Sequence, residues 1–326
     1  MDSIPGSPGG SSRLEAKLLN EASVMVPNLT EDRHKGQAGR IGVIGGSMEY
    51  SGAPYFAAIS ALRVGCDLSH VFCCKEAGPV IKSYSPELIV HPVLDLDNAI
   101  SYIKPVLSRL HVLVIGPGLG RDPKVLHTVA CIIDHCRHNT VDQKKPLVID
   151  ADGLHLITEQ PELVVDYPGG LVLTPNAVEF TRLASSILRE SWSPAPESKA
   201  DNLMALASCL GPRTVIVLKG SQDLVASPHH ILPATGAGSG RRCGGQGDLL
   251  SGSLGTFLCW ALVAGRDVEC KIFPEITSQR MVVASYGACR LTKECNRRAF
   301  SIHGRSMLVT DMIDQIHNSF EALFGQ

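Results

Sequence analysis

No apolar run in this chain of 326 residues reaches the roughly 18 residues needed to cross a bilayer. The nearest candidate, LGTFLCWALVAG (254–265), reads instead as a buried helix. Runs of basic residues are missing too, and a net charge of −2 gives no long-range attraction to nucleic acid or to an anionic membrane. The 11 cysteines contain no C-x-x-C and no Cys/His spacing of the zinc type. Scattered through apolar segments such as FLCWAL and YGACRL, they are expected to be reduced and mostly buried. No G-x-x-x-x-G-K-[ST] occurs, which disfavours the P-loop class. None of the 12 histidines falls into a Ser/His/Asp nucleophile pattern. The opening MDSIPGSPGGSSR (1–13) lacks the apolar core of a secretory signal and the arginine-rich pattern of a transit peptide. It is expected to be a disordered tail, with residues 14–326 as a single domain in the cytoplasm. A mitochondrial form would depend on delivery that these residues do not display.

What the chain does have is the profile of a compact α/β protein, 44% hydrophobic and 19% charged. Short β-rich runs end in Gly, Asp, Asn or Lys, and helical spacing follows. RIGVIGG (40–46), LSHVFCC (68–74), HVLVIG (111–116), PLVIDADG (146–153), GLVLTPN (170–176) and TVIVLKG (214–220) read as strands. DLVAS and HHILPA follow the last of these as two shorter ones. Strands that are apolar without alternation are buried on both faces, and alternation with helices implies a mainly parallel sheet. The expected fold is a three-layer α/β/α sandwich. SWSPAPESKAD (191–201) reads as a surface loop, and a last helix is expected near Thr310 and Asp311.

In open parallel sheets, ligands bind outside the carboxyl ends of the strands. Those ends here carry Gly45 and Gly46, Gly116 to Gly120, Asp150 and Asp152, Asn176 and Lys219. RRCGGQGDLLSG (241–252) adds three glycines at a helix start and one acid. Gly244, Gly245 and Gly247 let successive N–H groups converge, and the helix dipole points the same way, which makes an anion cradle without a lysine. Asp248 could take a proton beside that cradle, or could simply complement the dipole. Asp150 and Asp152 suit Mg2+ or a helix cap equally. Lys219 suits a phosphate or an exposed turn. Arg241 and Arg242 suit nucleotide phosphates or solvent. Asn176 and Glu179 suit a capped helix start.

GGQGD before a helix resembles the anion-hole motif of the ribokinase-like superfamily. With GRIGVIGGSMEYSGAPYFAA, VIGPGLGRD, VIDADGL, LTPNAVEF and VLKGSQD in the same order, the chain resembles the ATP-dependent NAD(P)H-hydrate dehydratases of eukaryotes from about residue 15 to about residue 324. The resemblance implies a ribokinase-like fold and repair of the 6S hydrates of NADH and NADPH, with ATP as co-substrate and Mg2+ present. The ring hydroxyl would be phosphorylated, and phosphate would then leave. It implies Asp248 as the base and Gly245, Gln246 and Gly247 as the anion hole. It places Lys219, Gly220, Ser221, Gln222 and Asp223 at ATP, together with Gly238, Ser239, Gly240, Arg241, Arg242, Cys243, Gly244, Gly245, Gln246 and Gly247. Gly118, Gly120, Asn176, Ala177, Val178, Glu179, Phe180, Thr181, Arg182 and Asp248 would meet the hydrated nucleotide, with Gly45, Gly46 and Ser47 approaching from the first strand. The partners expected are small molecules, with neither nucleic acid nor membrane, and a homo-oligomer is compatible with the resemblance. A small-molecule kinase of the same fold would share the anion hole and base and is the competing reading.

Overall fold

The computed structural model describes residues 8–138, 144–236, 238–264 and 278–325. Seven parallel strands form its centre: β1 (Arg40–Ile44), β2 (Leu68–Cys73), β3 (Ile89–Pro92), β4 (Val112–Ile115), β5 (Leu147–Ile149), β6 (Leu171–Leu173) and β7 (Thr214–Leu218). β8 (Asp223–Ala226) and β9 (Ile231–Ala234) extend the sheet antiparallel to β7. The order β3-β2-β1-β4-β5-β6-β7-β8-β9 reverses between β1 and β4, which makes that boundary a topological switch point.

Among the described residues, twelve α-helices cover the two faces: α1 (Pro8–Val24), α2 (Gly52–Val64), α3 (Ala77–Tyr84), α4 (Ala99–Leu107), α5 (Pro123–His138), α6 (Asp152–Glu159), α7 (Ala177–Leu188), α8 (Lys199–Leu210), α9 (Gln246–Cys259), α10 (Ser278–His303), α11 (Val309–Asp314) and α12 (Ile316–Phe324). Side chains alternate across a strand, so each apolar run splits between two cores. Val112, Val114, Val148, Val172, Val215 and Val217 face α1, α2, α9, α10 and α12. Leu113, Ile115, Leu147, Ile149, Leu171, Leu173, Ile216 and Leu218 face α4 to α8. The three-layer expectation therefore holds.

Smaller side chains on the first face let α9 come close. A Cβ on Gly252 would lie 2.0 Å from the Ala57 carbonyl oxygen of α2, and one on Gly255 would lie 2.9 Å from Val114. Thr256 Oγ1 donates to the Ala61 carbonyl at 3.1 Å. Helix α9, whose first turn carries Gln246, Gly247 and Asp248, is thus clamped to α2 and the sheet.

Several expectations shift. Residues 8–13, placed in a tail, form the start of α1, while residues 1–7 lie outside the described residues. β3, α3, α4 and the 26-residue α10 were not anticipated. The 191–201 loop begins at the end of one 3-10 turn (Arg189–Ser191) and contains a second (Pro196–Ser198) and the beginning of α8. Thr310 does not cap α11. Leu308 stands at that position, and Asp311 accepts its N–H at 2.7 Å. All ten cysteines among the described residues are free, and seven are buried. No described helix is long and apolar enough to cross a membrane.

Candidate active site

Gly245 caps α9 with φ at +88°, a left-handed conformation that a Cβ disfavours. A Cβ there would also lie 2.7 Å from Val309 Cγ1. The Gly245 carbonyl accepts the Leu249 N–H at 3.0 Å, which closes the first helical turn. The N–H groups of Gln246, Gly247 and Asp248 precede that bond and have no intrahelical carbonyl to meet. They form the positive end of the helix, which suits an anion. The Gln246 side chain turns back to donate to the Arg241 carbonyl and to Cys243 Sγ, both at 3.2 Å, so it braces the preceding loop.

Gly247 exposes a bare Cα to the strand ends. A Cβ there would stand 3.4 Å from Lys219 Nζ and 3.7 Å from Asp150 Oδ2. Lys219, just past β7, pairs with Asp150, just past β5, at 2.7 Å. Asp150 Oδ1 also accepts the Ala151 N–H at 2.9 Å, and Glu179 Oε2 lies 3.9 Å from Lys219 Nζ. Burial alone would lower the Lys219 pKa, but the Asp150, Glu179 and Asp248 carboxylates outweigh it and hold the ammonium above its ordinary value. Asp248 is pushed the other way for a carboxylate. Its surroundings leave it poorly hydrated and Asp150 adds like charge, so its pKa rises well above the usual range despite Lys219. Residue Asp248 is only half-buried by surface area, so the carboxylate is crowded yet open to a ligand from one side.

On the α9/α10 side of this centre lies a cleft of about 720 Å³. Lys219, Gly220, Ser221 and Asp223 line it from the β7–β8 turn, and Gly238, Ser239, Gly240, Arg242 and Cys243 from the segment after β9. Asn176 and the α9 residues Gln246, Gly247 and Leu250 complete that wall. Sequence reasoning missed Thr292, Lys293 and Asn296, which α10 contributes. Lys293 pairs with Asp223 at 3.2 Å and donates to the carbonyls of Gly220 and Ser221 at 3.3 and 2.9 Å. Asn296 Oδ1 accepts the Ser239 N–H at 2.5 Å, and its Nδ2 donates to the Arg241 carbonyl at 3.4 Å. Helix α10 thereby fixes both loops that line the cleft.

Four residues expected at ATP do not line this cleft. Gln222 lines a neighbouring cavity. The Arg241 guanidinium turns to the carbonyls of Met307 and Arg242. Gly244 is exposed with nothing near its missing Cβ, and Gly245 faces Phe56 and Val309.

On the other side, the loops after β1 and β4 are packed together at the switch point. The Gly46 N–H donates to the Gly118 carbonyl at 3.0 Å, and a Cβ on Gly45 would meet the Pro117 carbonyl oxygen at 2.0 Å. The Gly120 N–H donates to Asp152 Oδ2 at 3.0 Å, and Arg121 pairs with Asp152 at 3.3 Å. The two acids of VIDADG therefore serve different partners, Asp150 the Lys219 ammonium and Asp152 the Gly120 N–H and Arg121. Beside Gly120, Ser47 Oγ is buried without a hydrogen-bond partner among the described residues.

Helix α7 starts with a full capping box. Asn176 Oδ1 accepts the N–H groups of Val178 and Glu179, and Glu179 accepts that of Asn176 at 2.7 Å. Ala177, Val178, Thr181 and Arg182 are exposed along that helix. Phe180 is buried and meets Trp192 edge-on at 5.8 Å, so its side chain serves the core.

Among the described residues, no group of three or more His, Cys, Asp or Glu is arranged to enclose a metal. Mg2+ bound with a nucleotide needs no such cage, since phosphates and waters supply most ligands and one or two carboxylates the rest. Asp150 and Glu179, the carboxylates flanking Lys219, fit that part.

Comparison with known proteins gives concordant results. The family profile described as NAD(P)H-hydrate dehydratase matches residues 41–318. The chain is similar to the ATP-dependent (S)-NAD(P)H-hydrate dehydratase of Mus musculus, 52% identical over 302 residues, which covers 92% of this chain and 83% of that one. A ribokinase-like superfamily protein of Enterococcus faecalis has the same fold, with a TM-score of 0.71 at 21% identity, covering 94% of this chain and 95% of that one. The ADP/ATP-dependent NAD(P)H-hydrate dehydratase of Bacillus subtilis, crystallised with ATP/Mg2+, superposes with a TM-score of 0.65 at 22% identity, covering 93% and 96%.

Proposed function

The chain belongs to the NAD(P)H-hydrate dehydratase family, and on that footing we propose that it uses ATP to dehydrate the S hydrates of NADH and NADPH back to the working coenzymes. The observation that carries this reading is the convergence of Asp248, the bare Cα of Gly247 and the Lys219–Asp150 pair beside a nucleotide-sized cleft.

Hydroxide is a poor leaving group near neutral pH, and phosphate is a good one. The γ-phosphoryl group of ATP passes to the ring hydroxyl oxygen while Asp248 takes the hydroxyl proton. The N–H groups at the start of α9 and the Lys219 ammonium meet the charge on the moving phosphoryl. The lone pair of the adjacent ring nitrogen then expels inorganic phosphate. Loss of a proton to solvent from the neighbouring carbon leaves the ring double bond. The balance is hydrate plus ATP giving reduced coenzyme, ADP, phosphate and one proton. Asp150 and Glu179 would hold Mg2+, which when bound would supply positive charge against the triphosphate. The acceptor and donor are small molecules, and the setting proposed is the cytoplasm.

The test incubates the protein with ATP and hydrated NADH or NADPH. Recovery of absorbance at the reduced nicotinamide band supports the reading. A stable phosphorylated product without recovery would make the protein a small-molecule kinase instead.

A further inference from the structure

Two nucleotides must meet at Asp248, so two nucleotide-sized recesses must open beside it. The 720 Å³ cleft has the start of α9 in its wall and suits the phosphoryl donor. A second cavity, of about 300 Å³, lies on the α7/α8 side of the sheet. The two share Lys219, Gly220 and Ser221 as a common wall, so they flank one reacting centre. The volume is at the lower end of the ligand-pocket range, right for a nucleoside and too small for a whole dinucleotide. A third recess, between Tyr55 and Tyr84, shares no residue with the Asp150, Lys219 and Asp248 cluster.

The cavity is lined by the Trp192 indole, Thr181, Pro194, Lys199 and Asn202 among others. Its wall is held in place. Asn202 is buried, and its Nδ2 donates to the Ser193 carbonyl at 2.6 Å. The Ala195 N–H and the Ser198 hydroxyl both donate to Ser193 Oγ, at 3.4 and 3.2 Å. The Trp192 backbone N–H donates to the Arg189 carbonyl at 3.1 Å, which holds the main chain there, and Phe180 packs edge-on against the indole. Lys199, exposed at the first residue of α8, makes no salt bridge among the described residues. An ordered aromatic wall with an uncommitted cation at the rim is what a phosphorylated purine nucleoside requires.

We infer that this cavity takes the adenosine half of the hydrated dinucleotide, with Trp192 against the purine and Lys199 beside the adenosine ribose. The assignment rests on the dehydratase reading above and adds to it a subsite and a determinant of choice between the two coenzymes. A 2′-phosphate on that ribose would sit next to Lys199.

The test measures steady-state kinetics of the full chain with ATP and three acceptors: hydrated NADH, hydrated NADPH, and the hydrate of reduced nicotinamide mononucleotide, which lacks adenosine. Trp192→Ala is expected to raise KM for both dinucleotide hydrates roughly 10-fold. It should move KM for ATP and for the mononucleotide hydrate by less than about 2-fold, and Trp192→Phe should restore most of the loss. Lys199→Glu should raise KM for hydrated NADPH more than for hydrated NADH. A rise in KM for ATP, equal losses with the mononucleotide, or no change in any KM would overturn the assignment. Thermal melts accompany each variant. Should Trp192→Ala fail to fold, the exposed Lys199→Glu decides the outcome by the same readout. Wild-type protein that repairs none of the three hydrates refutes the dehydratase reading, and this assignment falls with it. Wild-type repair with KM values indifferent to both variants refutes the cavity assignment alone.

Discussion

Replacing Asp248 with Asn keeps the shape of the side chain and removes its charge. The carboxylate sits in poorly hydrated surroundings beside the Asp150 charge, with Lys219 compensating only in part. Its folded-state pKa is therefore raised, and between the ordinary carboxylate pKa and that raised value the native state holds a proton that the unfolded chain has already lost. By linkage, wild-type stability falls as pH rises through that window and stays low above it. Asp248→Asn escapes this cost. The variant should therefore be more stable than wild type at alkaline pH and melt at a higher temperature there. Below the ordinary carboxylate range the two proteins should melt together. Activity should move the other way, with kcat falling at least ~10²-fold and the affinity for ATP held within a few-fold. The acid limb of the wild-type rate profile should lie above the ordinary carboxylate range, because Asp248 must be ionised to act as base. Calorimetric melts across pH, paired with initial rates, check each arm. A variant less stable than wild type at every pH, or one that keeps its activity, would refute the assignment of Asp248 as a strained base.

Two further substitutions separate the site from its scaffold. Gly247→Ala places a methyl group in ordinary contact with Lys219 and Asp150, where the phosphoryl group must pass. It should cut kcat at least ~10-fold, while the better helix former leaves stability equal or up to about 1 kcal/mol higher, as urea titration would show. Gly252→Ala meets the α2 backbone, which cannot yield as a side-chain end would. It should cost about 1–3 kcal/mol in the same titration and lower activity by shifting the start of α9.

The rim of strand ends was legible in the sequence because the central strands are short apolar runs that stop abruptly at Gly, Asp or Lys. VLVIG and VLKG announce both a buried strand and its exit. The four-residue β3 escaped notice because it is short and ends in proline at Pro92. Helix α1 was not anticipated, and its first residues, 8–12, were read as tail because they are Pro, Gly and Ser. Packing of Leu18 and Ala22 into the core holds the rest of that helix and outweighs the local preference of its start. Continuity of a motif does not say which side chains face the ligand. Phe180 and Arg241 stand within motifs yet turn to the core and to backbone carbonyls. Thr292, Lys293 and Asn296 carry no local signal at all. The partners of Lys293 and Asn296 lie about fifty to seventy residues upstream, and only tertiary packing brings them together.

Clamp and base are one device. Asp248 is poorly hydrated because α9 is pressed onto α2 and the sheet, and that approach depends on Gly252 and Gly255 having no side chain. The same approach brings Gly247 to the Lys219–Asp150 pair, so the N–H groups at the start of α9, the Lys219 ammonium and the Asp248 carboxylate are placed by a single helix position. Nothing in this arrangement distinguishes an acceptor that keeps its phosphate from one that loses it. A plain alcohol held here would leave as a phosphate ester. A hydroxyl beside an electron-releasing ring nitrogen would leave as water's equivalent, with its oxygen in inorganic phosphate. Whether such a site acts as a kinase or as a dehydratase is therefore decided by the chemistry of the acceptor.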